Sequence, residues 1–114
     1  RLPLPIFGDG TQSRDFVFVA DAIDGTIAAL EKESLQSRRF NIASGKETTI
    51  LEVAKMMQEI AEASSDFIFK PPRKGDVRRS VANVARAQDE LGFRPATDLR
   101  DGLSATIQWF AHKK

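Results

Sequence analysis

The chain has 114 residues, 41% hydrophobic and 29% charged, with 17 basic against 16 acidic side chains and no cysteine. This is the size and balance of one folded domain; the composition argues against disorder and polyanion binding, and the lack of cysteine excludes disulfides and thiolate chemistry. Its apolar runs are too short for a membrane span or a signal peptide, so a cytoplasmic location is expected, with no membrane and no nucleic acid among the partners.

The start at Arg1, running straight into LPLPIF, reads as an internal segment of a longer protein. Leu4 to Phe7 is predicted as a strand, GDG at 8–10 as a turn, and Arg14 to Val19 as a second strand with Phe16 and Phe18 on one face and Val17 and Val19 on the other. Asp21 is placed to cap a helix ending near Glu33, with Ile23, Ile27 and Leu30 on one stripe. Arg39 to Ala43 follows as a strand. Thr49 and Glu52 have the spacing of a capping box, and Ile50, Val53, Ala54, Met57, Ile60 and Ala61 form the apolar stripe of the helix behind it. Asp66 to Lys70 is predicted as a strand and Gly75 as a turn. Asn83 caps a short helix with Val84, Ala87 and Leu91 inward and Gly92 at its end. A last helix runs from Asp98 through Leu99, Leu103, Ile107 and Phe110. Strands and helices alternate, so the class is α/β.

Candidates for chemistry are few. There is no tyrosine, and the one histidine, His112, sits in a basic tail, so no catalytic residue and no metal site is expected. Arg14 and Arg73, each beside an aspartate and a glycine turn, have the planar paired donors that match phosphate oxygens, and Asp76 is placed to orient an arginine or accept a sugar hydroxyl. The same spacing also reads as two surface ion pairs, Arg14 with Asp15 and Arg73 with Asp76. GDG lacks the lysine and following helix of a phosphate loop. Phe7, Phe16, Phe18 and Trp109 read as core aromatics, and Arg78, Arg79, Lys113 and Lys114 as solvated surface.

PIFGDGTQSRDFVFVAD, RFNIASGKETTILEVA, PPRKGDVRRSVANVARAQDELGFRP and LRDGLSATIQWF, in this order, resemble the C-terminal, substrate-binding part of the extended short-chain dehydrogenase/reductases, most of all the UDP-glucose or UDP-N-acetylglucosamine 4-epimerases. The resemblance spans essentially the whole chain. It implies a single nucleotide-sugar-binding segment, 1–114, with one helix and one strand left over from a Rossmann layer whose NAD-binding half lies outside it. It further implies that Arg14 and Arg73 grip the diphosphate of a UDP-sugar, that Asp76 contacts the ribose, that the backbone of Pro5 to Phe7 meets the uracil, and that Ile50 lines the ribose side. Phe16 stands where many relatives have tyrosine, keeping the ring and losing the phenol. Asn83 stands where many have aspartate and still caps a helix. The glycine-rich turn and the Tyr-x-x-x-Lys pair of the family do not occur in these residues, so the chain alone is expected to bind no NAD and to be inactive, while the complete enzyme would be an NAD-dependent homodimeric epimerase. A dehydratase or decarboxylase on the same scaffold, or a stand-alone binding module, are the alternatives. The exposed stripe of Ile23, Ile27 and Leu30 and the apolar face of Phe40 and Ile42 lead to the expectation that the chain self-associates.

Overall fold

The computed structural model describes residues 3–112, so the basic pair Lys113 and Lys114 lies outside the described residues. Two strands set the frame. β1 (Leu4–Phe7) and β4 (Phe67–Lys70) run parallel, in register from Leu4 opposite Phe67 to Phe7 opposite Lys70. Ile6, the inward residue of β1, is buried, and the Gly8 N–H extends the ladder by one bond, 2.8 Å, to the Lys70 carbonyl. Because the pair is parallel, the GDG turn and the PPRKGD loop leave the sheet at the same edge.

β2 (Ser13–Arg14) and β3 (Thr48–Thr49) form a short antiparallel pair. The strand expected over Arg14 to Val19 therefore stops almost as it begins. Asp15 turns its carboxylate onto the backbone N–H groups of Ser44, Gly45 and Ala82, at 2.8, 2.9 and 3.2 Å, which takes the chain out of the ladder. Helix α1 (Val19–Glu31) starts directly after, and Asp21, expected as its cap, lies inside the first turn. There it is buried and receives the Thr97 N–H at 3.0 Å, tying α1 to the segment before the last helix.

Of the three other helices, two begin where local sequence places them. At α2 (Ile50–Ala61) the Thr49 hydroxyl accepts the Glu52 N–H at 3.1 Å, one half of the capping box. Two further N–H groups of that end, otherwise orphaned, donate outward: Ile50 to the Gln12 carbonyl and Leu51 to the Gly10 carbonyl, both at 2.9 Å. Gly10 has φ +80° and a Cβ there would stand 3.0 Å from the Leu51 Cβ, so glycine is required for this approach. α3 (Ala85–Leu91) has Val84, not the expected Asn83, as its N-cap and no side-chain cap bond; Asn83 Oδ1 accepts the Ala85 N–H at 3.0 Å from one residue further out, and the helix ends at Gly92 in the left-handed region. α4 (Leu99–His112) is entered from Asp98, whose carboxylate accepts the Asp101 N–H at 2.8 Å, and packs on α2 with an Arg100–Glu59 ion pair of 2.9 Å.

The main core cluster lies between α1 and α3: Ala87, Leu91 and Phe93 are buried, with Ala28, Ala29, Leu35, Phe40 and Ile42 packed on them. Two expectations are corrected here. Residues 39–43 form no strand, having no ladder bonds to another described segment; the 35–43 stretch is held by side chains, with Glu90 accepting the N–H groups of Gln36 and Ser37 at 3.0 and 3.1 Å. Phe40 and Ile42 are partly buried, packed against the chain's own core, and do not form the fully exposed apolar face expected. The α1 stripe does face solvent, with Ile23, Ile27 and Leu30 at 52%, 44% and 79% exposure. The radius of gyration, 16.6 Å, exceeds the roughly 13 Å of a compact chain this long.

Packing of the irregular segment against α1 depends on Gly25, where an added Cβ would lie 2.8 Å from Ile42 Cγ2 and 3.1 Å from Phe93 Cδ1. Gly25→Ala gains helix propensity of up to about 1 kcal/mol but overpacks this contact by about 1–3 kcal/mol. The expected result is a net loss of about 1–2 kcal/mol in urea unfolding. A stabilised variant would show that the segment is free to move away.

Candidate functional site

The edge where both parallel strands end carries a cleft of about 660 Å³. Phe7, Phe69, Pro72 and Val77 give it apolar walls, and Lys70, Arg73, Arg78, Asp9, Asp76 and Gln12 supply the polar groups. Three cationic side chains thus face two anionic ones. A cleft at the carboxyl ends of parallel strands is where α/β proteins bind ligands, because the loops there are free to diverge.

Each loop is set by its own bonds. On the first, Asp9 accepts the Thr11 hydroxyl at 2.6 Å and the Thr11 N–H at 2.9 Å, and the Arg78 guanidinium at 3.3 Å. The Thr11 bonds, with Arg78 behind them, push the Asp9 carboxyl down to about 2, so it is an anion at every physiological pH. Arg78 also donates to the Thr11 hydroxyl, bridging the two rims of the cleft. The segment after the RKGD loop is stitched to β2: the Ser13 N–H donates to the Arg78 carbonyl at 2.9 Å and the Ser80 N–H to the Ser13 carbonyl at 3.2 Å. Next to it, Arg79 grips Glu47 with two donors at 3.0 and 2.8 Å, and Ser13 adds its hydroxyl at 3.1 Å; Arg79 first and Ser13 second hold the Glu47 carboxyl below its usual range.

The ion pairs run between motifs rather than within them. Arg14 pairs with Asp76, 62 residues away, and its other terminal nitrogen donates to the Ser13 carbonyl at 2.6 Å. Arg73 pairs with no carboxylate among the described residues; its guanidinium lies over the Phe7 ring, 4.1 Å from the centroid. At an exposed position such stacking is worth about 0.5–1 kcal/mol. Neither same-motif pair expected from the spacing forms, since Asp15 is committed to Ser44, Gly45 and Ala82.

Of the candidate residues, Phe7, Arg73 and Asp76 line the cleft, and Arg14 reaches it through Asp76. Pro5, Phe16 and Ile50 do not line it: Phe16 borders a separate depression with Thr97 and Leu99, and the Ile50 N–H supports the loop behind the wall. The structure adds Gln12, Phe69 and Arg78. For Arg78 a signal existed, since it stands two residues after Asp76, the period that puts side chains on one face of an extended segment.

A parallel strand pair with an arginine-bearing cleft at its carboxyl ends, together with helices, makes this an α/β chain. More narrowly, it belongs to the family described as GDP-mannose 4,6 dehydratase, whose model matches residues 1–106. Among its relatives, UDP-glucose 4-epimerase of Mycolicibacterium smegmatis is 37% identical over 108 residues, 95% of this chain and 34% of that protein. UDP-glucose 4-epimerase of Thermotoga maritima, solved with UDP-glucose, superposes with a TM-score of 0.89 at 38% identity, over 96% of this chain and 35% of that one. UDP-glucuronic acid 4-epimerase of Bacillus cereus, solved with UDP-glucuronic acid and NAD, gives 0.89 at 34% identity, over 96% and 35%. Other relatives are UDP-glucuronic acid decarboxylases and a dTDP-glucose 4,6-dehydratase, so the family is one of nucleotide-sugar enzymes. The chain spans about a third of the length of these proteins. No described helix is long and apolar enough to cross a membrane.

The Bacillus cereus relative is solved with NAD. A dinucleotide pyrophosphate rests on a glycine-rich turn that opens a helix. The described helices are entered from Phe18, Thr49, Val84 and Asp98, none through such a turn, while Gly8 and Gly10 lie between strands. The described residues therefore offer no such seat for a dinucleotide pyrophosphate.

Proposed function

We propose that this chain is the nucleotide-sugar-binding part of an NAD-dependent 4-epimerase and that its cleft holds the nucleoside diphosphate of a UDP-sugar. The observation that carries the reading is the cleft at the ends of β1 and β4, with Arg73 on its wall and Arg14 held at its margin by Asp76. Arg73 and Arg14 grip the diphosphate by charge-assisted bonds, and the Asp76 oxygen not engaged by Arg14 accepts a ribose hydroxyl. Epimerisation at a sugar carbon needs a firm hold on the part that stays still. A clamp on the diphosphate serves equally before and after the sugar turns. Decarboxylases and dehydratases among the relatives make those reactions the second reading, since the clamp lies away from the reacting sugar.

Titration calorimetry of the 114-residue chain with UDP and with NAD tests this, together with an assay for NADH and for epimer exchange on UDP-glucose. UDP is expected to bind, NAD to give no heat, and no turnover to occur. Absence of UDP binding sinks the cleft assignment, and turnover sinks the inactive-alone reading. Light scattering of the same sample checks self-association through the exposed α1 stripe, which a monomer at micromolar concentration rules out.

A further inference from the structure

Gln12 is the one amide side chain on the cleft, and it is 8% exposed. Its Nε2 donates to the Phe7 carbonyl at 2.7 Å, and a carbonyl only accepts, so the amide is fixed with its nitrogen toward β1 and its oxygen the other way. No described residue donates to that oxygen. Among the described residues no sealed side-chain oxygen is without a partner, so Oε1 retains access to solvent, and it lies 3.8 Å from where a Cβ of Gly8, another residue of the cleft wall, would stand. An acceptor held rigid beside the Phe7, Phe69 and Pro72 walls asks for a flat ring that presents an N–H. We propose that Gln12 is the base-selecting residue of the site, its Oε1 accepting the imide N–H of a uracil or thymine ring. This rests on the reading that the cleft holds a nucleoside diphosphate.

Calorimetry of the chain and its Gln12→Leu variant with UDP, N3-methyl-UDP and inorganic pyrophosphate tests the assignment. The parent chain is expected to bind UDP about tenfold more tightly than the N3-methylated compound. In Gln12→Leu the UDP affinity falls about tenfold, the discrimination disappears, and pyrophosphate binds as in the parent. Equal affinity of the parent chain for UDP and N3-methyl-UDP overturns the proposal, and so does a folded Gln12→Leu that still discriminates. If the variant does not fold, the parent comparison decides alone. Failure of both UDP and pyrophosphate to bind the parent overturns the cleft reading itself, and this assignment with it.

Discussion

Asp15→Ala is expected to lower the unfolding free energy by about 2–4 kcal/mol, because three backbone donors lose their only acceptor at once and each unpartnered donor costs about 1–3 kcal/mol where water does not replace it. The Asp15 carboxylate receives the Ser44, Gly45 and Ala82 N–H groups and the Ser44 hydroxyl at 2.5 Å, joining three stretches remote in sequence. A domain of this size is stable by only about 5–15 kcal/mol, so urea unfolding resolves the change easily. A midpoint equal to the parent's would mean that the three stretches are held by other contacts. Burial raises the Asp15 carboxyl, but the bonds from Ser44, Gly45 and Ala82 together outweigh it and leave the group below its ordinary value. The sign follows: the unfolded chain takes up the proton first. The stabilisation is complete above an unfolded pKa of about 3.9 and is lost as pH falls through the lower folded value. Asp15→Asn is expected to flatten that acid limb; an unchanged limb assigns it to other carboxylates.

The second large effect is on binding. Arg73→Ala is expected to weaken UDP binding by about 1.5–3 kcal/mol, the usual range for a hydrogen bond to a charged partner. Arg73 pairs with no carboxylate among the described residues and lies over the Phe7 ring, so no described anion must be displaced before it meets a phosphate. Arg73→Lys is expected to recover only part, since an ammonium has neither the paired donors nor the planar face. Arg14→Ala combines two losses, the phosphate donor and the partner of Asp76, and cannot separate them. Calorimetry on the folded variants reads these differences directly. Unchanged UDP affinity in Arg73→Ala leaves this side chain only its stacking on Phe7 and removes it from the clamp.

Local signals in the sequence determined the starts of α2 and α4 and the end of α3. Thr49 with Glu52, Asp98 before Leu99 and Gly92 after Leu91 each act on backbone groups within a few residues, so nothing distant can overrule them cheaply, whereas the starts of α1 and α3, expected at Asp21 and Asn83, fall at Phe18 and Val84 without a side-chain cap. Phe7, Arg73 and Asp76 were named from the motif resemblance; that they line one cleft follows from the parallel pairing of β1 and β4, which puts the loops after both strands on one edge and which the sequence alone did not show. Tertiary structure decided everything that needs a partner. Residues 15–18 and 39–43 have strand-like composition, but a strand exists only where another lies beside it, and side chains hold these stretches instead. The pairing of Arg14 with Asp76, the release of Arg73 to Phe7 and the burial of Gln12 depend on which loops meet across the chain. Charge and spacing along the sequence are symmetric between the possible partners, and only the packing of β2 against the segment after Gly75 breaks that symmetry.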